Sequence, residues 1–238
     1  WATGYEFPSV EDGLVLKEEL PDGTIGSAQA FIFNLRDPKF QDPAVREAIR
    51  LMFNFEWSNE TLFYGLYDRV DSFWQNSDLQ ARGVPTSGEL ALLQPLVEEG
   101  FLEPSILTDE AVLSPTSNAS RPADRANLRI ASGLLADAGW IAGDDGLRRK
   151  DGEILSVEFL TASPSFDRII NPYIENLERL GIEASLDRVD FAQYVERLNA
   201  PSEFDMVTHT MTQGFEPGTA MRQWFASETA ADSSRNLM

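Results

Sequence analysis

The stretch LERLGIEASLDRVDFAQYVERL (Leu177–Leu198), followed by FDMV (Phe204–Val207), decides the fold. Phe166, Ile169, Ile170, Tyr173, Leu177 and Leu180 recur at helical spacing, and Gly181 ends that helix. Ile182–Val189 then reads as a strand. Asp190 caps a helix carrying Phe191, Tyr194, Val195 and Leu198, because its carboxylate accepts orphan backbone N–H groups. Phe204–His209 reads as a further strand. With another strand expected at Glu153–Leu160, the order strand, helix, strand, helix, strand predicts parallel crossovers within a mixed sheet. The chain is therefore read as an α/β fold.

Working outward, Gly143–Arg149 and Glu153–Leu160 are expected to form a basic hairpin around the turn Lys150-Asp151-Gly152. Asp124 caps a helix that turns Leu128, Ala131, Leu134, Leu135 and Ala138 inward, with Gly139 suited to the left-handed position after it. AFIFNL (Ala30–Leu35) reads as a buried strand. Asp42 with Pro43 marks a helix start, since Pro at the first position loses no hydrogen bond. Val45, Ala48, Ile49, Met52 and Phe53 give that helix one apolar face. A second short helix is expected from Ser58 and another over Leu90–Val97. Glu103–Pro122, rich in Pro, Ser, Thr and Asn, reads as surface loop. Residues 1–29 are expected to be irregular, with turns at Glu11-Asp12-Gly13 and Pro21-Asp22-Gly23.

The chain has 238 residues, enough to bury a sizeable core. Its formal charge of -20, from 39 acidic and 19 basic residues, disfavours nucleic acid and anionic lipid as partners. The absence of cysteine removes disulfides, thiolate nucleophiles and cysteine-ligated metals. Apolar runs of membrane-spanning length are missing. The chain opens on Trp1 and closes on SSRNLM (Ser233–Met238) without helix or strand signals, so both ends are expected to be cut points.

Enzyme motifs are lacking. The sequence has no Walker loop, no GxGxxG after a strand and no GxSxG elbow. His209 is the single histidine, which leaves a histidine relay or a histidine-based metal site little to work with. No cofactor and no metal are expected. Two other readings remain open: an acid hydrolase using paired carboxylates such as Asp187 and Asp190, and a non-catalytic interaction or sensory lobe.

Taken in order, AFIFNL, DPKFQDPAVREAI (Asp37–Ile49), Tyr64-Gly65, Leu134–Trp140, Leu180–Glu183 and the Phe204-Asp205 strand resemble the extracellular solute-binding proteins, family 5. The segments DSFWQNSDL (Asp71–Leu79) and GVPTSGELALL (Gly83–Leu93) are similar to the branch related to the microcin C importer's binding protein. The resemblance implies a type II periplasmic binding protein lobe, a mixed β-sheet flanked by helices. Residues 30–238 would form the C-terminal lobe of a two-lobe receptor, with 1–29 as a hinge-proximal segment. It further implies a monomeric periplasmic receptor that holds an oligopeptide or modified peptide and delivers it to an inner-membrane ABC permease. In many such receptors an acidic residue pairs with the peptide's amino terminus. Here TMTQGFEPGT (Thr210–Thr219) puts Gln213 at that place, with Glu216 and Pro217 following. The expected cleft residues are Arg69, Ser72, Phe73 and Trp74 after the helical pair, and His209, Thr210, Thr212 and Gln213 after the last strand, where open α/β sheets place ligands.

Overall fold

The computed structural model describes residues 4–199, 203–230 and 236. A single helical turn, α1 (Pro8–Glu11), precedes strand β1 (Ala28–Phe33) and helices α2 (Pro43–Leu51), α3 (Phe55–Leu62), α4 (Ser87–Glu98) and α5 (Arg125–Asp137). Three short strands follow, β2 (Ile141–Ala142), β3 (Arg148–Lys150) and β4 (Glu153–Ile154). The chain then runs through β5 (Ser156–Thr161), α6 (Asp167–Leu180), β6 (Glu183–Arg188), α7 (Phe191–Asn199), β7 (Met206–Met211) and α8 (Thr219–Phe225).

The main sheet has the order β1-β7-β5-β6. β5 runs parallel to both β6 and β7, while β1 pairs antiparallel with β7. The mixed α/β sheet expected from the sequence is thus present. Strand alternation sends side chains to two faces, and each face has its own core. On one face Phe31, Val157, Phe159 and Met206 meet α2, α5 and α6 through Val45, Ile49, Leu135, Ile170 and Leu177. The Phe31 ring makes edge contacts with Phe53, Phe159 and Tyr173 at 5.4–5.6 Å. On the other face Ile32, Leu160, Val207 and Met211 are covered by Tyr194 and Leu198 of α7, with Val70 and Trp224.

Local chemistry explains most boundaries. Asp42 accepts from Ala44 N–H at 2.8 Å, and Asp124 from Ala126 N–H at 2.7 Å. Asp190 accepts from Gln193 N–H at 3.0 Å. Gly139 and Gly181 take the left-handed conformation, at φ 87° and 88°. A Cβ on Gly181 would also lie 2.4 Å from the Gly146 carbonyl oxygen, so the position excludes every other residue.

Several boundaries differ from the sequence reading. The hairpin is shorter: β3 and β4 pair around Asp151 and Gly152, both at positive φ, as a tight primed turn requires. The fully buried Leu155 then separates β4 from β5, which leaves the hairpin to join the main sheet. α3 starts at Phe55 because Asn54 accepts from Trp57 N–H at 2.9 Å, and Ser58 is buried within the helix. α4 is longer than expected, fixed by a capping box between Thr86 and Glu89. β1 begins, and β7 ends, two residues away from the expected positions, because their mutual pairing sets both limits.

Arg148 is buried, and among the described residues no carboxylate pairs with it. Its guanidinium donates to the carbonyls of Leu180 (2.8 Å) and Trp140 (2.9 Å) and to Ser132 Oγ (2.6 Å). Cations favour helix carboxyl ends, and this one ties the ends of α5 and α6 together. On the same side of the sheet, Tyr173 donates to the Ile49 carbonyl at 2.9 Å, and Asn176 donates to Met52 at 3.0 Å. These two bonds add side-chain donors to carbonyls in the last turn of α2 and just after it. Among the described residues no helix is long and apolar enough to cross a membrane.

Candidate functional site

The carboxyl ends of β5, β6 and β7 lie at one edge of the sheet, together with the start of β1. β7 reaches further along this edge than its parallel neighbour. It pairs with β5 only at Met206 and Val207, yet continues beside β1 to Met211. Asn34 N–H donates to the Asp205 carbonyl at 3.0 Å, which marks a hydrogen-bonded pair. Alternation then turns the main-chain groups of Val207, His209 and Met211 toward β1, and those of Thr208 and Thr210 away from it. The Thr208 carbonyl accepts from Tyr194 Oη at 2.8 Å. Among the described residues no strand lies beside Thr210 on that side, so its N–H and C=O face an open edge.

Around this edge the side chains are mostly uncharged. His209 lies within β7, where the sequence reading ended that strand, and Thr210 also lies within β7 rather than after it, which corrects that reading. The pairing with β1 carries the strand past both residues. His209 is half-buried, and burial lowers its pKa from the ordinary 6.5. Thr210 is exposed. Thr212 shares a 2.8 Å hydrogen bond with Ser27, joining the segments that flank β7 and β1. Gln213 is buried and donates weakly to Met221 Sδ at 3.5 Å, so its amide turns into α8. Glu216 is exposed.

The 69–76 loop borders the same edge. Trp74 Nε1 donates to the Gly214 carbonyl at 3.2 Å, and Phe73 packs on Phe225 with ring centroids 5.1 Å apart. Ser72 Oγ accepts from Trp74 N–H at 3.1 Å and shapes the turn. Gly26 N–H donates to the Gln75 carbonyl, and Asn76 donates to the carbonyls of Asp22 and Thr24. The loop is therefore fastened to the approach of β1. Ser72, Phe73, Trp74, Thr212 and Gln213 are brought into one neighbourhood at the end of β7.

Arg69 is differently placed. Its guanidinium binds both oxygens of Glu56 at 2.6 and 2.7 Å and lies over the Phe55 ring at 4.9 Å. Burial works to raise the Glu56 pKa, but the Arg69 hydrogen bond and the Ser117 N–H outweigh it, and the carboxyl titrates below the usual range. An incoming carboxylate would have to displace Glu56. Three contributors escaped the sequence reading as site residues: Tyr194, Ser27 and Phe225. Tyr194 was legible only as an inward-facing helix residue, and the other two sit in segments with no periodic signal.

An open groove of about 1010 Å³ lies at the opposite, amino end of the parallel strands. Its cations already have partners. Lys39 pairs with Asp205 at 2.9 Å and Asp37 at 3.3 Å, and Arg197 binds Glu158 and Asp187 at 2.6 Å each. Size favours this groove, but unmatched hydrogen-bonding capacity favours the carboxyl edge, and that capacity is what can hold a ligand. No group of three or more His, Cys, Asp or Glu residues arranged to hold a metal occurs among the described residues.

The family model described as bacterial extracellular solute-binding proteins, family 5 Middle, matches residues 4–233. A probable peptide-binding protein YejA from Agrobacterium fabrum is 38% identical, over 100% of this chain and 38% of that protein. A peptidoglycan-binding protein YepA from the same organism is 31% identical, over 99% of this chain and 38% of that protein. Among solved structures, the oligopeptide-binding protein AppA from Bacillus subtilis, in complex with a nonapeptide, aligns with a TM-score of 0.65. The alignment is 19% identical and covers 91% of this chain and 36% of AppA, a likeness of fold. The chain thus spans a little over a third of the length of these relatives.

Proposed function

We propose a ligand-binding role for this chain, which belongs to the bacterial extracellular solute-binding proteins, family 5. It forms the C-terminal lobe of a two-lobe periplasmic receptor, with the rest of the protein supplying the facing lobe. The receptor captures an oligopeptide or modified peptide between the lobes and presents it to an inner-membrane ABC permease. The likeness to the probable peptide-binding protein YejA supports a peptide cargo, and the likeness to the peptidoglycan-binding protein YepA supports a peptide-bearing cell-wall fragment as one class of it.

The observation that carries this reading is the open edge of β7 at Thr210, a strand margin with an unpaired donor and acceptor. A peptide main chain adds to such a margin as a further strand. Thr212, Trp74, Phe73 and Ser72 border its path, and His209 lines the strand itself. Gln213 offers no charge and points into α8, so this lobe has no carboxylate at that position to anchor a free amino terminus. Arg69 serves here as a brace for Glu56 rather than as a ligand carboxylate receptor. A hydrolase with paired carboxylates is disfavoured, because Asp187 is bound to Arg197, Glu56 to Arg69, and Asp190 caps α7.

The test is thermal unfolding of the full-length protein with peptides of graded length. Ligand at 100 times its dissociation constant stabilises by about 2.7 kcal/mol. A shift that depends on peptide length supports the reading, and no shift with any peptide overturns it.

A further inference from the structure

Residues 83–113 form an excursion closed at its base, where Ala111 N–H donates to the Gly83 carbonyl at 2.7 Å. Its main element is α4, whose central run LALLQPLV (Leu90–Val97) is apolar nearly all round. Leu90, Leu93 and Val97, spaced three and four apart, are half-buried, as are Leu102 and Leu107 of the segment that folds back on the helix. Among the described residues nothing covers the other side of the helix. Leu92 is 74% exposed and Leu96 41%, with Phe101 at 73% and Val112 at 78%.

A helix apolar on every side belongs inside a protein. α4 buries no residue, although every other helix of comparable length here does. Nor does propensity explain it, since twelve residues interrupted by Pro95 make a marginal helix in water. The excursion also carries six acidic residues and no lysine or arginine. Its apolar face is thus edged by negative charge alone.

We infer that the open face of α4 docks on the part of the full-length protein outside residues 1–238, on an apolar patch rimmed by lysine and arginine. This rests on reading the chain as one lobe of a larger receptor. Two observations select that occupant. Relatives that match this chain end to end extend over more than twice its length, so a large covalently linked surface is at hand. The unbroken acidic rim calls for a cationic counterpart, which a second copy of this strongly negative chain would not supply.

The experiment is hydrogen exchange of the full-length protein, without ligand or permease, read on fragments covering residues 87–98. Docking predicts protection on the order of 100-fold or more, unchanged on dilution of the protein. Exchange at open-chain rates overturns the inference, and so does protection that fades on dilution, which would assign the face to a second copy. As a second measurement, the L92E/L96E double variant of the full-length protein should unfold several degrees below the parent. Unfolding at the parent temperature overturns the inference. Ligand-induced shifts, measured separately, report on the peptide-binding reading and leave this result independent of it.

Discussion

The two ends of the main sheet differ in how their polar groups are used. At the amino end, Lys39 and Arg197 each hold two carboxylates, and Asp205 Oδ2 also accepts the Glu158 N–H at 2.9 Å. At the carboxyl end, the side chains of Thr210, Thr212, Gln213 and Trp74 carry no charge, and a main-chain donor and acceptor stay open. The amino end has its cations paired within the groove, whereas the carboxyl end is unfinished. A binding surface is marked by bonding capacity left over after folding, and volume alone is a poor guide to it.

Thr210→Pro in the full-length protein should break the contrast most sharply. It removes the open N–H without touching the bonds to β1, which come from the neighbouring residues. Peptide affinity should fall by about 10–100-fold in calorimetry, as expected for a donor lost from a desolvated site. Unchanged affinity would place the ligand elsewhere. Asp205→Ala tests the other end, deleting the Lys39 pair and the acceptor of the Glu158 N–H. A loss of about 1–3 kcal/mol in denaturant unfolding is expected, with peptide affinity unchanged. Trp74→Phe keeps an aromatic ring but cancels the bond to Gly214, and should weaken ligand binding by less than about tenfold while leaving the midpoint of unfolding nearly in place.

The smallest effect concerns pH. Burial lowers the His209 pKa below 6.5, so the folded chain favours the neutral ring. The stability it contributes is present above pH 6.5 and is lost as pH falls through the folded pKa. A His209→Gln variant should flatten the decline of Tm on that acid side, and an identical decline in both proteins would remove His209 as its source.

Much of the fold was legible because its signals are local. Asp42, Asp124 and Asp190 act as caps with partners two or three residues away, and Gly139 and Gly181 adopt the backbone conformation their positions announced. The site was less legible because it depends on pairing between distant segments. Nothing near Thr210 in sequence says that β1, some 180 residues earlier, holds β7 two residues past its expected end while β5 stops short. Arg69 read as open to a ligand because Glu56 is thirteen positions away and joins it only through the turn after α3. The composition of Leu90–Val97 announced a helix, but its exposure is a property of what surrounds it.

Arg148 gives the molecule a joint of unusual constancy. Ion pairs such as Lys39 with Asp205 weaken when carboxylates take up protons in acid or when salt screens them. The acceptors on Arg148 are two backbone carbonyls and a hydroxyl, which do not titrate, and its burial keeps salt at a distance. In a chain with twice as many acids as bases, this cation is thus kept clear of carboxylates. The junction of α5, α6 and the small hairpin should hold its shape through swings of acidity and salinity that loosen the rest of the surface.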